Sequence, residues 1–228
     1  MIMQTMKQYT HIYTWLSMRL LPALLHFVKL TSSRYNIDES HSIGHAMDVV
    51  CHAQNIVYET SQQHRYIREQ EPIIYTAAIL HDMCDKKYVD PLKGVREIDD
   101  LLYNRLKPYE IKHIINIITT MSYSTVKQNG FPDLGDYTMA YHIVREADLL
   151  AGYDFKRAMI YRMYKSPDHF MESFENSKYL FEKRVFRHED DGLFITEYSK
   201  AKSKELYLQS CQQIKSFERV IDSYEKYI

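Results

Sequence analysis

An adjacent His81-Asp82 pair follows the apolar run Ala77-Ala78-Ile79-Leu80, and these two residue types are ones that could bind a metal ion. Burying an imidazole and a carboxylate at a helix end costs on the order of several kcal/mol unless both are satisfied. Neighbouring helical residues point about 100° apart, so both side chains can reach one metal ion near the helix end. The pair therefore indicates metal binding, and an exposed histidine beside a capping aspartate is the alternative.

Two further positions carry residues of the same chemical types. His41 and His45 are four residues apart at the start of a predicted helix, which places them on one face. Asp148 lies in the segment 143–150, whose apolar residues would bury one face of a helix. Acidic residues within such a face are seldom left unpaired. His52 is better explained by packing, and four other histidines have no partner at a useful spacing: His64, His113, His142 and His188.

Four segments, taken in order between about residues 38 and 165, resemble the HD-domain phosphohydrolase superfamily. They are SHSIGHAMDVV, HDMCDKKYVD, the Met121-Ser122-Tyr123-Ser124 segment and EADLLA. The pattern is most similar to the small single-domain branch that hydrolyses nucleotides. The resemblance implies one metal bound by His45, His81, Asp82 and Asp148, and a hydrolase acting on phosphate ester or anhydride bonds.

A set of two imidazoles and two carboxylates suits a divalent metal ion, with Mn²⁺ as the first choice and Mg²⁺, Fe²⁺, Co²⁺ or Ni²⁺ as alternatives. Such an ion polarises the phosphorus centre and lowers the pKa of a bound water. We expect Asp82 or Asp85 to accept the proton, and the resemblance suggests that Asp85 and Lys86 lie near this point. Basic side chains would neutralise the phosphoryl charge, and the candidates are His41, Lys86, Arg145, Lys156 and Arg157. Tyr123, in the Met121–Ser124 segment, is a candidate for contact with the base or sugar of a nucleotide.

Three positions depart from the family pattern. Asp48 stands where the family often has arginine, and Leu149 and Ala151 replace an arginine and an aspartate of the last motif. All four predicted ligands are retained, so the metal transfers more safely than the substrate preference.

The leading functional hypothesis is a metal-dependent phosphohydrolase that uses activated water on a nucleotide or a similar small phosphorylated molecule. One alternative is a phosphodiesterase for cyclic or signalling nucleotides, although these often need a second metal and more histidine ligands. Another is a non-catalytic sensor that binds metal and nucleotide, which the changes at Asp48, Leu149 and Ala151 would support.

Helical periodicity predicts the elements that must position these residues. We predict helices over 5–29, 43–60, 73–85, 91–106, 108–121, 136–151, 153–164 and 196–227. Loops are predicted over 31–40 and 122–135, and a short hairpin near 184–194 is the one strand signal. Only six Gly and six Pro occur, which favours long helices. The expected fold is an all-α, single-domain HD-type bundle of about eight or more helices, with its core over 38–165 and a C-terminal extension over 166–228.

Composition limits the cellular setting and the partners. The net charge of -1 gives no global basic field, so no nucleic-acid polymer is expected. The apolar run 20–30 is shorter than the roughly 20 residues that span a bilayer, so no membrane is expected either. The three cysteines are odd in number and far apart, which favours a reducing, cytoplasmic setting. A homodimer through exposed aromatic helix surface remains an open hypothesis.

Overall fold

The computed structural model describes residues 20–166 and 170–225, which form ten α-helices and no β-strand. The predicted all-α class is confirmed. Five helices make up the first half: α1 (20–35), α2 (Ile43–Gln63), α3 (Glu71–Leu80), α4 (Pro91–Leu102) and α5 (Pro108–Thr120). Five complete the fold: α6 (Tyr123–Asn129), α7 (Thr138–Ala151), α8 (Phe155–Lys165), α9 (Phe170–Lys183) and α10 (Glu197–Glu225).

Local sequence signals explain where several helices begin. Proline occupies the first turn of α3, α4 and α5, where its missing N–H is not needed. The Asp90 side chain caps α4 by accepting the backbone N–H of Lys93 at 2.9 Å. Asp154 caps α8 in the same way through Lys156 N at 3.1 Å. These caps fix the ends of two helices that border the candidate site.

The centre of the fold is the packing of α2 against α3 and α7. Helix α3 is apolar on nearly every side, as expected for a helix surrounded by protein, and most of its residues from Ile73 to Leu80 are buried. Helix α7 is buried over most of its length, whereas α2 buries one face. Helix α5 packs on α3, α8 packs on α9, and α10 crosses α2, α7 and α8. Two of these helices, α2 and α7, and the turn that follows α3 carry the predicted metal ligands.

Several predicted boundaries were wrong. Helix α1 continues to residue 35 through the expected loop, because Thr31 and Ser32 are buried. The predicted helical residues 5–19 lie outside the described part of the chain. The expected loop over 122–135 contains α6, which begins where the Ser122 side chain accepts Thr125 N at 3.2 Å and buries Val126.

The hairpin predicted near 184–194 is absent from this described segment. A short 3₁₀ helix, Val185–Arg187, is followed by a turn at Gly192, which has φ = 67°. The backbone bonds here are local, with Leu193 N donating to His188 O at 3.0 Å. A strand pair would need bonds across a ladder, so the apolar residues at both ends of this segment belong to a folded turn.

Helix α3 ends at Leu80 rather than near Asp85, and His81–Cys84 form a turn. Helix α4 packs closely on that turn at Gly94, where an added Cβ would lie 2.8 Å from Cys84 Cα and 3.0 Å from Met83 O. The glycine therefore permits a backbone approach that any other residue would block. No helix in the described ranges is both long and apolar enough to cross a bilayer.

Candidate metal centre and its pocket

The structure brings the four predicted metal ligands together from three parts of the chain. His45 lies on α2, His81 and Asp82 follow α3, and Asp148 lies on α7. The Nε2 atoms of His45 and His81 are 3.1 Å apart. Asp148 Oδ1 lies 3.2 Å from His45 Nε2 and 3.5 Å from His81 Nε2. Asp82 Oδ2 lies 3.3 Å from His81 Nε2 and 3.5 Å from His45 Nε2.

These separations fit a common metal ion. Nitrogen and oxygen ligands bound at about 2.0–2.2 Å stand roughly 3.0–3.5 Å apart when they occupy adjacent coordination positions. His45, His81 and Asp148 each offer a donor atom within 4.8 Å of the others, and Asp82 adds a fourth donor. Asp82 Oδ2 is buried and accepts no hydrogen bond from the described residues. A buried carboxylate oxygen without a partner is costly, and a metal ion would satisfy it.

Second contacts orient the imidazole of His81 for ligation. His81 Nδ1 lies 2.8 Å from the carbonyl oxygen of Ala78, one turn earlier on α3. Because a carbonyl only accepts, Nδ1 carries a hydrogen, and in the neutral ring the lone pair is on Nε2, which lies 3.1 Å from His45 Nε2. Histidine ligands to metals commonly have this arrangement. The last turn of α3 thus supplies the carbonyl that orients His81, the predicted ligand.

The electrostatics of the cluster also favour a cation. Burial and the nearby Arg157 lower the pKa of His45 to about 4. Burial opposes the charged form of His81, but the carboxylates of Asp82 and Asp148 raise its pKa well above the usual value. Burial likewise works against ionised carboxylates, yet His81 and His45 hold the pKa values of Asp82 and Asp148 well below their usual range. Two ionised carboxylates therefore face the centre of the cluster.

His41 is held beside the cluster by three polar side chains. Ser40 Oγ donates to Asp38 Oδ1, and the Tyr88 hydroxyl donates to Asp38 Oδ2 at 2.5 Å. Both hydroxyl hydrogens are then used, so their oxygens, 2.6 Å and 3.1 Å from His41 Nδ1, accept from it. Hydrogen counting therefore assigns the hydrogen to Nδ1 and leaves Nε2 of His41 as its remaining polar atom.

A pocket of about 580 Å³ opens over this cluster, a volume typical of small-molecule sites. It includes His81, Asp82 and Asp148 and five of the other predicted residues: His41, Asp85, Lys86, Tyr123 and Arg157. Asp85 is paired with Lys87 through a 3.3 Å contact between Oδ2 and Nζ. Arg157 donates from Nε to the Ser40 carbonyl, which joins α8 to the segment carrying His41.

Two predicted substrate-binding residues lie elsewhere. Arg145 is buried, donates to the carbonyl of Leu193 and lies 4.7 Å from the centroid of the Phe131 ring. Lys156 is exposed on α8, and neither residue lines the pocket. A helix turns about 100° per residue, so Lys156 points away from the side that its neighbour Arg157 presents to the pocket. The structure therefore does not bring Arg145 or Lys156 to the pocket, where a phosphate contact was predicted.

Sequence reasoning missed several residues that line the pocket: Tyr161, Arg162, Arg184 and His188. They come from α8 and from the segment after α9, which has no counterpart among the motifs used for prediction. Arg184 and His188 are four residues apart within a charged stretch before Gly192. That spacing of about one helical turn could have predicted that both side chains lie on the same side of the chain. The wrong prediction of a hairpin over these residues argued against it.

No family model and no curated protein matches the chain. Among solved structures, it is similar to the crystal structure of Bacillus subtilis YpgQ in complex with ADP. The TM-score is 0.55 and the sequence identity 21%, over 85% of this chain and 96% of that chain. At this identity the likeness shows a shared helical fold.

Proposed function

We propose that this chain is a metal-dependent phosphohydrolase of the HD type whose substrate is a nucleotide with more than one phosphate. The observation that carries the proposal is the convergence of His45, His81, Asp82 and Asp148, the last three of which line an open pocket. The ADP bound to the structural neighbour YpgQ is consistent with a nucleotide ligand.

The charges around the pocket support a polyanionic substrate. Four cationic side chains line it without a carboxylate within 4.0 Å in the described ranges: Lys86, Arg157, Arg162 and Arg184. In addition, Arg162 Nε is buried without a hydrogen-bond partner. Uncompensated guanidinium groups in a pocket suit phosphate oxygens, which they can bind through two parallel bonds. One phosphate at the metal would leave several of these cations unused.

A divalent ion held by the four ligands would supply Lewis-acid activation of phosphate and water. The residues around it then have separable tasks. His41 lines the pocket with Nε2 as its remaining polar atom, and Lys86, Arg157 and Arg162 would hold the remaining phosphates and neutralise charge that develops during cleavage. Asp85 lies in the pocket wall but is paired with Lys87, so we assign the proton-accepting task to Asp82 or Asp85 without separating them.

The test is hydrolysis of nucleoside mono-, di- and triphosphates and cyclic nucleotides with added Mn²⁺, followed by phosphate and pyrophosphate release. We expect turnover of a di- or triphosphate, abolished by chelation and by His81→Ala. A matched control is His52→Ala, which changes a histidine on α2 outside the pocket and should retain activity.

Each competing function predicts a different result. Selective cleavage of cyclic nucleotides would favour the phosphodiesterase alternative. Mn²⁺ and nucleotide binding with no turnover of any compound would favour the sensor. Full activity in Asp82→Ala would contradict the proposed site.

A further inference from the structure

Three side chains form a second part of the pocket, which we call the α6–α9 wall: Tyr123, Arg184 and His188. Tyr123 begins α6, Arg184 follows α9, and His188 follows the short 3₁₀ helix 185–187. All three line the pocket, and none is a predicted metal ligand. Arg184 and His188 lie outside the segments that resemble the HD superfamily, so the wall requires its own explanation.

His188 is the central observation. It is only 2% exposed, and neither Nδ1 nor Nε2 has a hydrogen-bond partner within the described structure. The rings of Tyr153, Tyr123 and Phe194 surround it, with centroids 5.8, 6.0 and 6.1 Å away. Buried polar atoms normally have partners. Aromatic packing thus fixes this imidazole, while its polar atoms are left for a group that enters the pocket.

The protonation state of His188 limits what that group can be. Burial and the neighbouring Arg184 lower the pKa of His188 to about 3, so the ring is neutral near pH 7. A neutral imidazole has one donor and one acceptor. An ionised phosphate offers acceptors only, whereas the edge of a nucleobase offers both kinds of group.

Arg184 adds a flat surface beside His188. Its guanidinium carbon lies 4.1 Å from the centroid of Tyr123, and the side chain is partly exposed. Guanidinium planes held in this way commonly stack on bases. Apolar side chains complete the surroundings: Ile118, Met121, Leu149, Leu180, Phe181 and Val185. An apolar lining with a few fixed polar groups is typical of small-molecule recognition.

We propose that the α6–α9 wall is a nucleobase subsite, in which His188 hydrogen-bonds the base edge and Arg184 stacks on the base plane. This inference rests on the proposed function, because it assumes that the phosphates of the same ligand lie at the metal and the basic residues. It assigns the nucleoside part of the substrate to residues of the C-terminal third of the chain.

The experiment compares ADP with inorganic pyrophosphate, which has the phosphates but no nucleoside. Calorimetric titration in Mn²⁺ would give the affinity of both for the wild type, His188→Phe and His188→Gln. We expect His188→Phe to weaken ADP binding roughly tenfold or more and pyrophosphate binding less than about twofold. His188→Gln keeps a donor and an acceptor and should recover much of the ADP affinity.

Controls separate this subsite from the rest of the site. His52→Phe replaces a histidine outside the pocket and should leave both affinities unchanged. Circular dichroism verifies folding of each variant, and Arg184→Met, at a partly exposed position, gives an independent test with the same expected selectivity for ADP.

Equal weakening of ADP and pyrophosphate in the His188 and Arg184 variants would overturn the subsite, as would unchanged ADP binding. Wild-type protein that binds pyrophosphate as tightly as ADP would also overturn it, while leaving the phosphate site intact. Wild-type protein that binds neither ligand would overturn the proposed function itself.

Discussion

At the scale of single residues, the hydrogen bonds around His41 hold its imidazole in one orientation beside the pocket. Asp38 accepts from both Ser40 and Tyr88, and these hydroxyl oxygens in turn accept from His41. Burial raises the pKa of Asp38, but the neighbouring His41 imidazole and the hydrogen bonds from Ser40 and Tyr88 outweigh it and hold the pKa well below its usual range. The ionised Asp38 thereby determines, through two hydroxyl groups, which nitrogen of His41 carries the hydrogen.

Replacing Tyr88 by Phe removes one of these two hydroxyl groups. We expect the free energy of unfolding to fall by about 1 kcal/mol and turnover of the best nucleotide to fall about tenfold. Mn²⁺ content should stay unchanged, because Tyr88 contacts no predicted ligand. Urea unfolding, kinetics and metal analysis measure the three quantities.

Tyr75→Phe is the matched control, since Tyr75 is a half-buried tyrosine on α3 that does not line the pocket. It should leave turnover unchanged. Loss of Mn²⁺ from Tyr88→Phe would contradict the view that this hydroxyl acts only through His41.

At the scale of elements, the turn after α3 depends on its neighbour α4. The backbone of Gly94 reaches Met83 and Cys84, which directly follow the predicted ligand Asp82. Gly94→Ala would place a Cβ 2.8 Å from Cys84 Cα, so we expect a loss of about 1–3 kcal/mol in the free energy of unfolding. Mn²⁺ affinity should fall as well, because the turn must shift.

Gly44→Ala makes the same chemical change next to His45, another of the predicted metal ligands. Its Cβ would meet nothing within 4 Å, so the usual helix preference for alanine should apply, with a gain of up to about 1 kcal/mol. Thermal or urea unfolding with and without Mn²⁺ distinguishes the two variants. Equal effects of both alanines would show that the approach of α4 to the turn is unimportant.

The elements that the sequence predicted well are those with a strong local signal. Periodic apolar residues and first-turn prolines located α2, α3, α4, α5 and α7 within a few residues. The failures have tertiary causes. Thr31 and Ser32 extend α1 because the core buries them. The apolar residues near 184–194 pack around a turn. The backbone that follows is fixed by the Glu146 carboxylate, which accepts hydrogen bonds from Ile195 N at 2.6 Å and from Thr196 N at 3.2 Å.

The candidate site was predictable in the same uneven way. The clustering of His45, His81, Asp82 and Asp148 could be anticipated because a short, ordered pattern of His and Asp is specific even without three-dimensional information. The pocket walls could not, since Arg184 and His188 reach the pocket only through the packing of α9 on α8. Arg145 was misplaced because position in the motif does not reveal which face of α7 is buried.

At the scale of the whole molecule, buried neutral histidines link stability to pH. An unfolded histidine has a pKa of about 6.5, whereas that of His188 in the fold is about 3. Between these values only the unfolded chain takes up the proton, so acid favours unfolding. The contribution is complete above about pH 6.5 and declines as the pH falls towards 3.

We predict that the free energy of unfolding depends more steeply on pH in the wild type than in His188→Gln. From pH 6 to pH 4, without added metal, the free energy of unfolding of the wild type should fall by about 1 kcal/mol more per pH unit than that of His188→Gln. Urea unfolding at several pH values measures both slopes. Parallel slopes would mean that His188 is protonated in the folded chain.

The cations of the pocket have a kinetic consequence. The chain as a whole is nearly neutral, with a net charge of -1, so a distant anion experiences little attraction. Lys86, Lys87, Arg157, Arg162 and Arg184 outnumber the four aspartates of the pocket lining by one. A bound divalent ion would add to this positive charge, and salt limits its reach to about 8 Å at physiological ionic strength. Capture of a phosphorylated molecule should therefore speed up only over the last step of its approach. Added salt would slow its association far more than its departure.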